Sequence, residues 1–365
     1  MEDLKYLVAL STFIKFGSKS LFKLKRAFSN FEHAFKAGLS ELVKAGIDEK
    51  IALEFIETRA KINPETEWEK IAKENIKIVT PEDAAYPPLL KELYDLPALL
   101  YVKGSMPDGG DKFPLAVIGS RKISPYGRQV IEEIVSALAR QGLTIVSGLA
   151  LGADACAHAT TLQAGGRTIA VLGSGVDQFC PHTNHRLAEQ ILANGGAVIS
   201  EFPLGALPLR QNFPMRNRLI SGLCLGTLVV EAAVDSGSLI TAKCALDQNR
   251  EVFSIPGSIF SLLCAGTNNL LKMGARVVTS AEDILDELNL ERAEKLLEDR
   301  PIKADTPEEA AIINILTREP KHIDNITKDT ALSASSALST LTLMEMKGKV
   351  KNMGGMMYVI AGRGR

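Results

Sequence analysis

Cysteine is scarce in this chain and never grouped. The five cysteines, Cys156, Cys180, Cys224, Cys244 and Cys264, form no CxxC and stand at no ligand-like spacing. That argues against a disulfide scaffold or a zinc ribbon and leaves small buried thiols in a reducing compartment. No apolar run approaches the ~20 residues needed to span a bilayer. The opening MEDLKYLVALSTFIKFGSKS is acidic first and interrupted by Lys5 and Lys15, unlike a signal peptide. The expectation is a cytoplasmic protein with no membrane partner. Nor does one sign of charge prevail: the net charge is −1 over 365 residues, of which 46% are hydrophobic and 23% charged. Such a composition is ordinary for a globular protein, and the length implies two or three domains.

The average charge conceals a division. Residues 1–112 carry 17 Lys+Arg, 15 of them Lys, against 18 Asp+Glu. Residues 113–280 carry 13 against 10, and ten of the 13 are Arg. Guanidinium is planar, permanently charged and able to grip an anion with two parallel hydrogen bonds. The arginine bias of the middle of the chain hints at anion recognition and fits a solvated surface or codon bias equally well.

Residues 1–62 read as a small helical domain of the SAM or helix-hairpin-helix kind, with a turn at Gly46 and Asp48 as an N-cap. Its cluster Lys15, Lys19, Lys23, Lys25 and Arg26 contains no acid; it reads first as a solvated face and second as a nucleic-acid contact. Residues 63–112 form a proline-rich connector with one strand, ALLYVKG. From 113 to 290 strand and helix alternate: LAVIGS (115–120), TIVSGLA (144–150), TIAVLGS (168–174), AVISE (197–201), TLVVEAA (227–233), EVFSIPG (251–257) and RVVTS (276–280). Continuous apolar runs of this kind are parallel strands covered on both faces. Residues 291–306 are a charged linker. Residues 307–362 hold three helices and a hairpin turning at Gly354-Gly355, the outline of a winged helix. The expected fold class is α/β: a doubly wound Rossmann-like sheet, a small N-terminal helical domain and a C-terminal winged-helix-like domain.

Ligands of such sheets bind beyond the carboxyl ends of the strands. Here those ends share glycine and serine: Gly119-Ser120-Arg121, Ser147-Gly148, Gly173-Ser174-Gly175, Ser236-Gly237-Ser238 and Pro256-Gly257-Ser258. Yet the dinucleotide fingerprint is missing. GSRKISPYG follows the first strand, with Arg121 where a second glycine would admit a pyrophosphate. No NAD, FAD or other cofactor is expected. Glu201, Glu231 and Asp235 lie near strand ends, but no Ser/His/Asp or Cys/His set accompanies them, and His182 and His185 have no further metal ligand nearby in sequence. Neither a catalytic nor a metal site is expected. His158 reads as a packed, hydrogen-bonded core residue. What remains is a positive polar rim: Arg121, Lys122, His182, Asn184, Arg210, Gln211, Asn212, Arg216, Asn217, Arg218 and Lys243. Several separated cations with glycine turns suit a chain of phosphates better than one nucleotide. Stacking residues are few; Tyr126, Phe179, Phe202 and Phe213 can serve either as platforms or as core.

Taken together these segments resemble the DNA-processing protein A family (DprA, also called Smf). The resemblance runs in order through GSRKISPYG (119–127), IVSGLALGADACAH (145–158), VLGSGVDQFCPHTN (171–184), ISEFPLG (199–205) and FPMRNRLISGL (213–223). It continues through VVEAAVDSGSLITAKCALDQNREVFSIPGS (229–258) and GTNNLLKMGA (266–275). It implies a non-enzymatic protein that binds and protects single-stranded DNA during natural transformation, loads the RecA recombinase and works as a homodimer. The DNA-binding residues expected on that basis and on the rim are Gly119, Ser120, Arg121, Lys122, Ser147, Gly148, Gly173, His182, Asn184, Arg216, Asn217, Arg218, Ser236, Gly237, Ser238, Thr241 and Lys243. One loop departs from the family's YPxxN: it reads Cys180-Pro181-His182-Thr183-Asn184. A nucleoside-monophosphate phosphoribohydrolase is the alternative, but CLGTLVVE lacks the paired glycines of that enzyme's turn. Arg216 and Arg218 are two apart on one helix and so face different ways. One is expected to meet a phosphate and the other Glu201 or Glu231.

Overall fold

The apolar runs of the middle segment pair as parallel strands because both of their faces are covered. In the computed structural model, which describes residues 2–288, 304–316, 320–347 and 349–360, they build one nine-stranded sheet. Its strands are β1 (Ile76–Val79), β2 (Leu100–Gly104), β3 (Pro114–Ile118), β4 (Thr144–Ser147), β5 (Thr168–Val171), β6 (Ala197–Ser200), β7 (Gly226–Val229), β8 (Glu251–Ser254) and β9 (Arg276–Val277). Their spatial order is β1-β2-β6-β5-β4-β3-β7-β8-β9. Strands β3 to β9 pair in parallel, while β1 and β2 add antiparallel at one side. Successive strands run from β3 to β6 in one direction and from β7 to β9 in the other, so the order reverses between β3 and β7. Each strand ends earlier than its apolar run, since the last residues leave the sheet to form the rim loops. The last is the shortest: of the run 276–280, only Arg276–Val277 is strand.

Contacts divide the chain into two compact units, Met1–Asn289 and Leu290–Arg365. Within the first, the N-terminal helices share a core with the sheet. Leu10, Phe13, Leu24 and Phe55 lie in one cluster with Tyr101, Ala170, Leu172 and Val198. The Ser11 and Tyr101 hydroxyls, 2.6 Å apart, tie the first helix to β2. The lysine cluster of these helices is engaged locally. Lys15 and Lys25 pair with Glu54 and Glu82, Lys23 donates to the carbonyl of Gly46 at 2.7 Å, and Lys19 sits over the Tyr94 ring. Residues 63–112 are more than a connector: they hold the helix Pro64–Lys73, capped by Asn63, and both antiparallel strands. Leu90 and Leu93 from this segment pack in one cluster with Leu219 and Ile220 of the Asn212–Gly222 helix and with Leu223, its C-cap.

In the second unit the helices Pro307–Ile315, Ile323–Thr330 and Ala334–Met346 surround Ile312, Ile326, Leu341 and Met344. A three-stranded sheet, β10 (Lys321–His322), β12 (Met357–Ile360) and β11 (Val350–Asn352) in that order, closes it. This is a winged helix, with its hairpin turning at Gly354-Gly355 where both residues have positive φ. Of the charged linker, residues 291–303 lie outside the described residues. No helix among the described residues is long and apolar enough to cross a membrane.

Candidate nucleic-acid interface

Four loops converge where the sheet's carboxyl edge meets the start of the Asn212–Gly222 helix, and side chains from that helix stitch them together. Asn212 Nδ2 donates to Gly173 O after β5 (3.1 Å) and to Leu207 O (3.2 Å). Asn217 Nδ2 donates to Gly237 O (3.4 Å). Arg216, only 4% exposed, donates from Nη1 to Gly148 O after β4 at 2.8 Å and to the Val171 carbonyl at the end of β5. Its Nε reaches Asn217 Oδ1 at 3.2 Å. Burial lowers its pKa to about 10, opposed by the nearby Asp154 carboxylate and assisted by Arg121.

The β4 loop is itself held in an uncommon backbone. Leu149 is fully buried with φ +57°, a left-handed conformation that costs about 1–3 kcal/mol for a non-glycine residue. Asn184 Nδ2 donates to Leu149 O (2.8 Å) and Ala150 O (3.3 Å), while Asp154 accepts from Gly148 N (3.0 Å) and Ala150 N (3.4 Å). Burial raises the Asp154 pKa, against Arg216 and these amide donors. Gly152, at φ +77°, brings this loop against the β3 loop: a Cβ there would stand 2.3 Å from Ser120 O.

Between the two loops stands Phe213. Its ring lies 5.5 Å from the Arg121 guanidinium and 5.8 Å from that of Arg216, a cation–π pair on a single aromatic. Arg121 is exposed and has no ion pair or hydrogen bond from its side chain among the described residues. Lys122, Arg210 and Lys243 are likewise exposed and unpaired there. His182 is also exposed. Ser236 and Ser238 share a hydroxyl contact of 2.7 Å before the Ser238–Asp247 helix.

The expected residues thus divide. Arg121, Lys122, His182, Gly237 and Lys243 are open to solvent, and Gly119, Asn217 and Ser236 are half-buried. Ser120, Ser147, Gly148, Gly173, Asn184, Arg216, Ser238 and Thr241 are buried. Ser147, for example, donates to Val117 O inside the sheet. Arg218 faces away from Phe213: it pairs with Glu201 and Asp95 Oδ2 and donates to Asp95 O at 2.8 Å. A free phosphate-gripping pair at 216 and 218 is therefore not what the helix presents. Arg216 lies under the rim, and Arg218 is taken up by carboxylates because its position on the helix points it at the 86–97 segment. Of the four aromatics weighed from sequence, Phe179 and Phe202 are buried, Tyr126 is exposed and donates to Pro256 O, and Phe213 is half-buried beside Arg121 and Arg216.

Glu231 is buried as well, and accepts from Ser124 N (2.8 Å) and Ser124 Oγ (2.5 Å). His158 is fully buried, its Nδ1 2.7 Å from Thr168 Oγ1 and its Nε2 without a partner. Desolvation pushes its pKa down to about 3. Among the described residues no three His, Cys, Asp or Glu side chains group to hold a metal.

A Rossmann-like sheet without a dinucleotide loop, with cations unpaired among the described residues beside its strand ends, and a C-terminal winged helix define the class of α/β protein. The chain belongs to the family of DNA recombination-mediator protein A, which matches residues 77–289, and the DprA winged helix domain matches residues 297–356. It is 35% identical to Protein Smf of Synechocystis over 97% of this chain and 98% of that one. It is 48% identical to Protein Smf of Escherichia coli, over 59% of this chain and 57% of the relative. The X-ray structure of DNA processing protein A from Streptococcus pneumoniae superposes with a TM-score of 0.64 at 36% identity, over 78% of this chain and 97% of that one. A Helicobacter pylori structure, described as showing a single-stranded DNA binding mode of DNA processing protein A, superposes at 0.51 with 29% identity, over 59% and 97%.

Proposed function

We propose that the chain binds single-stranded DNA along this rim, without turnover, and delivers it to the RecA recombinase during natural transformation. The observation that carries the reading is the Arg121–Phe213–Arg216 stack. It sets two guanidinium groups, one buried and one exposed, over a single half-buried ring, beside further cations that are unpaired among the described residues. Phosphates would be met by Arg121, Lys122 and Lys243, by the open Gly237 turn and by His182. Base stacking on an aromatic is sequence-tolerant and contributes about 1–3 kcal/mol per base. The single-stranded DNA named for the Helicobacter pylori relative supports the same ligand here. Ser120, Ser147, Gly148, Gly173, Asn184, Arg216, Ser238 and Thr241 act as scaffold for the loops, and Arg218 as a strut to the 86–97 segment. A cytoplasmic homodimer is the proposed working form. The run Ile259, Phe260 and Leu262, 83–91% exposed, is an apolar surface that pairing of subunits would cover.

The test is a gel shift of the full chain with single- and double-stranded oligonucleotides at several salt concentrations. Preference for the single strand, with affinity falling at a slope near 0.7 per phosphate engaged, is expected. Equal affinity for both forms, or release of free base from nucleoside monophosphates, would overturn the reading.

A further inference from the structure

The crevice where strand order reverses, between β3 and β7, is where an open α/β sheet ordinarily receives its ligand. Here a side chain of the protein fills it. Glu231 follows β7, is 1% exposed, and directs both carboxylate oxygens at one residue across the crevice: Oε2 accepts from Ser124 N and Oε1 from Ser124 Oγ. A Cβ on Gly127 would stand 2.6 Å from Oε2 and 2.7 Å from the carboxylate carbon. The absence of a side chain at 127 is thus what lets the carboxylate sit there. Ser124 in turn caps the helical run that begins at Pro125 by accepting from Gly127 N at 3.2 Å.

The placement bears on the DNA rim through the loop between. Residues 119–124 leave β3 under Glu231 and come back to it. A Cβ on Gly119 would lie 3.0 Å from Glu231 O, and Ser124 is gripped by the Glu231 carboxylate. Arg121 stands midway, with its other flank set by Gly152 and by the hydrogen bond from Ala153 N to Ser120 O (3.0 Å). Among the described residues the exposed Arg121 side chain has no anchoring partner beyond the Phe213 ring, so its placement depends on how firmly this loop is held.

We infer that Glu231 is a positioning residue: an internal anion that occupies the switch-point crevice in place of a ligand and fixes the 119–124 loop so that Arg121 is presented to the DNA strand. The inference rests on the single-stranded DNA reading above. A loop ordered beforehand does not have to be ordered on binding, so its anchor contributes to affinity without touching the ligand. Glutamine at 231 can keep its oxygen on Ser124 N but turns an N–H₂ toward Ser124 Oγ, which must then accept instead of donate, so the charge-assisted bond from the hydroxyl is lost and the grip is weakened.

The experiment is a double-mutant cycle on the full chain, measuring single-stranded DNA affinity and its salt slope for Arg121→Ala, Glu231→Gln and the double variant. Arg121→Ala is expected to weaken binding about tenfold or more, as loss of a charge-assisted contact does. Glu231→Gln is expected to weaken it several-fold and to lower the salt slope by up to about 0.7, the value of one phosphate. The double variant is expected to bind no worse than Arg121→Ala alone, because a loop without its arginine has nothing left to present. Gly127→Ala, whose Cβ would crowd both the carboxylate (2.6 Å) and Ile123 Cγ1 of the loop (2.8 Å) while keeping Glu231 and Arg121 themselves, should loosen the same loop, weaken binding at least as much as Glu231→Gln, and replaces it if that variant does not fold. Independent, additive losses would overturn the inference, as would Glu231→Gln and Gly127→Ala binding within twofold of the wild type. If Arg121→Ala itself binds normally, the rim reading fails first and the inference with it.

Discussion

Arg216 donates to the carbonyl oxygen of Gly148 at 2.8 Å, and its guanidinium lies where a side chain on that glycine would begin, with Nη1 2.6 Å from the position of a Cβ. The glycine is therefore required by the arginine. Gly148→Ala is expected to destabilise the first unit by about 1–3 kcal/mol, the range for overpacking a filled interior, and to weaken DNA binding by disturbing one flank of Phe213. Gly237→Ala serves as the control for stability, since nothing lies within 4 Å of its Cβ position; it should stay within about 0.5 kcal/mol. Urea denaturation of the two variants checks the contrast.

Arg121 and Arg218 should separate binding from folding. Arg121 has no side-chain ion pair or hydrogen bond to lose among the described residues, so Arg121→Ala is expected to keep the wild-type melting temperature while binding DNA weakly. Arg218→Ala leaves the half-buried Glu201 without its partner, a change that costs roughly 3 kcal/mol at buried sites and less here in proportion to solvent access. Its DNA affinity at a temperature where the variant is folded should match the wild type. Parallel thermal melts and binding titrations would show whether the two effects divide in this way.

His158 gives the first unit a predictable acid sensitivity. Burial holds its folded pKa near 3, below the ordinary 6.5. The unfolded chain therefore takes up a proton below pH 6.5 that the folded chain refuses until about pH 3. Stability should be undiminished by this group above pH 6.5 and decline through that window by at most about 1.4 kcal/mol per pH unit. A His158→Gln variant should show a flatter decline across the same window, read from urea midpoints at a series of pH values.

The winged-helix unit has a different acid limit. Lys347 and Lys349 each pair with both Asp305 and Glu309 at 2.5–2.8 Å. Hydrogen bonds from the two lysines hold both carboxyls down to about 2, from ordinary values of 3.8 and 4.5. Because the folded values are depressed, the contribution is complete above about pH 4.5 and disappears as pH falls toward 2. Hydrogen exchange of the Pro307–Ile315 helix, corrected for intrinsic rates, should accelerate through that range. In a Lys347→Ala/Lys349→Ala variant it should already be fast at pH 6.

The strand ladder was legible because apolar runs of four or more residues separated by glycine-closed helices leave few other arrangements. The short edge elements were not. β1 is only IKIV with an exposed Lys77, too brief and too polar for period alone to mark it. At the rim, the sequence placed the glycine-serine loops at the strand ends but not the depth of each side chain. FPMRNR displays both arginines equally, and only the proximity of Gly148 O and Val171 O on one side, and of Glu201 on the other, decides that one is buried and the other ion-paired. The two-residue spacing implied that the two arginines face different partners, but not which of them meets Glu201. The grip of Glu231 on Ser124 spans 107 residues, and its only local trace is the glycine at 127, one among 29.

The two outer strands of the large sheet carry a further consequence. β1 is four residues long with Lys77 pointing outward, and β9 is two residues long, with Arg276 paired to Glu287 at 2.8 Å. Short edges set with charge offer little backbone for an incoming strand to zip onto. Another protein, or a second copy of this one, must then be recognised by the shapes and charges of side chains rather than by extension of the sheet. The same property keeps a chain of so many apolar strands from templating its own aggregation.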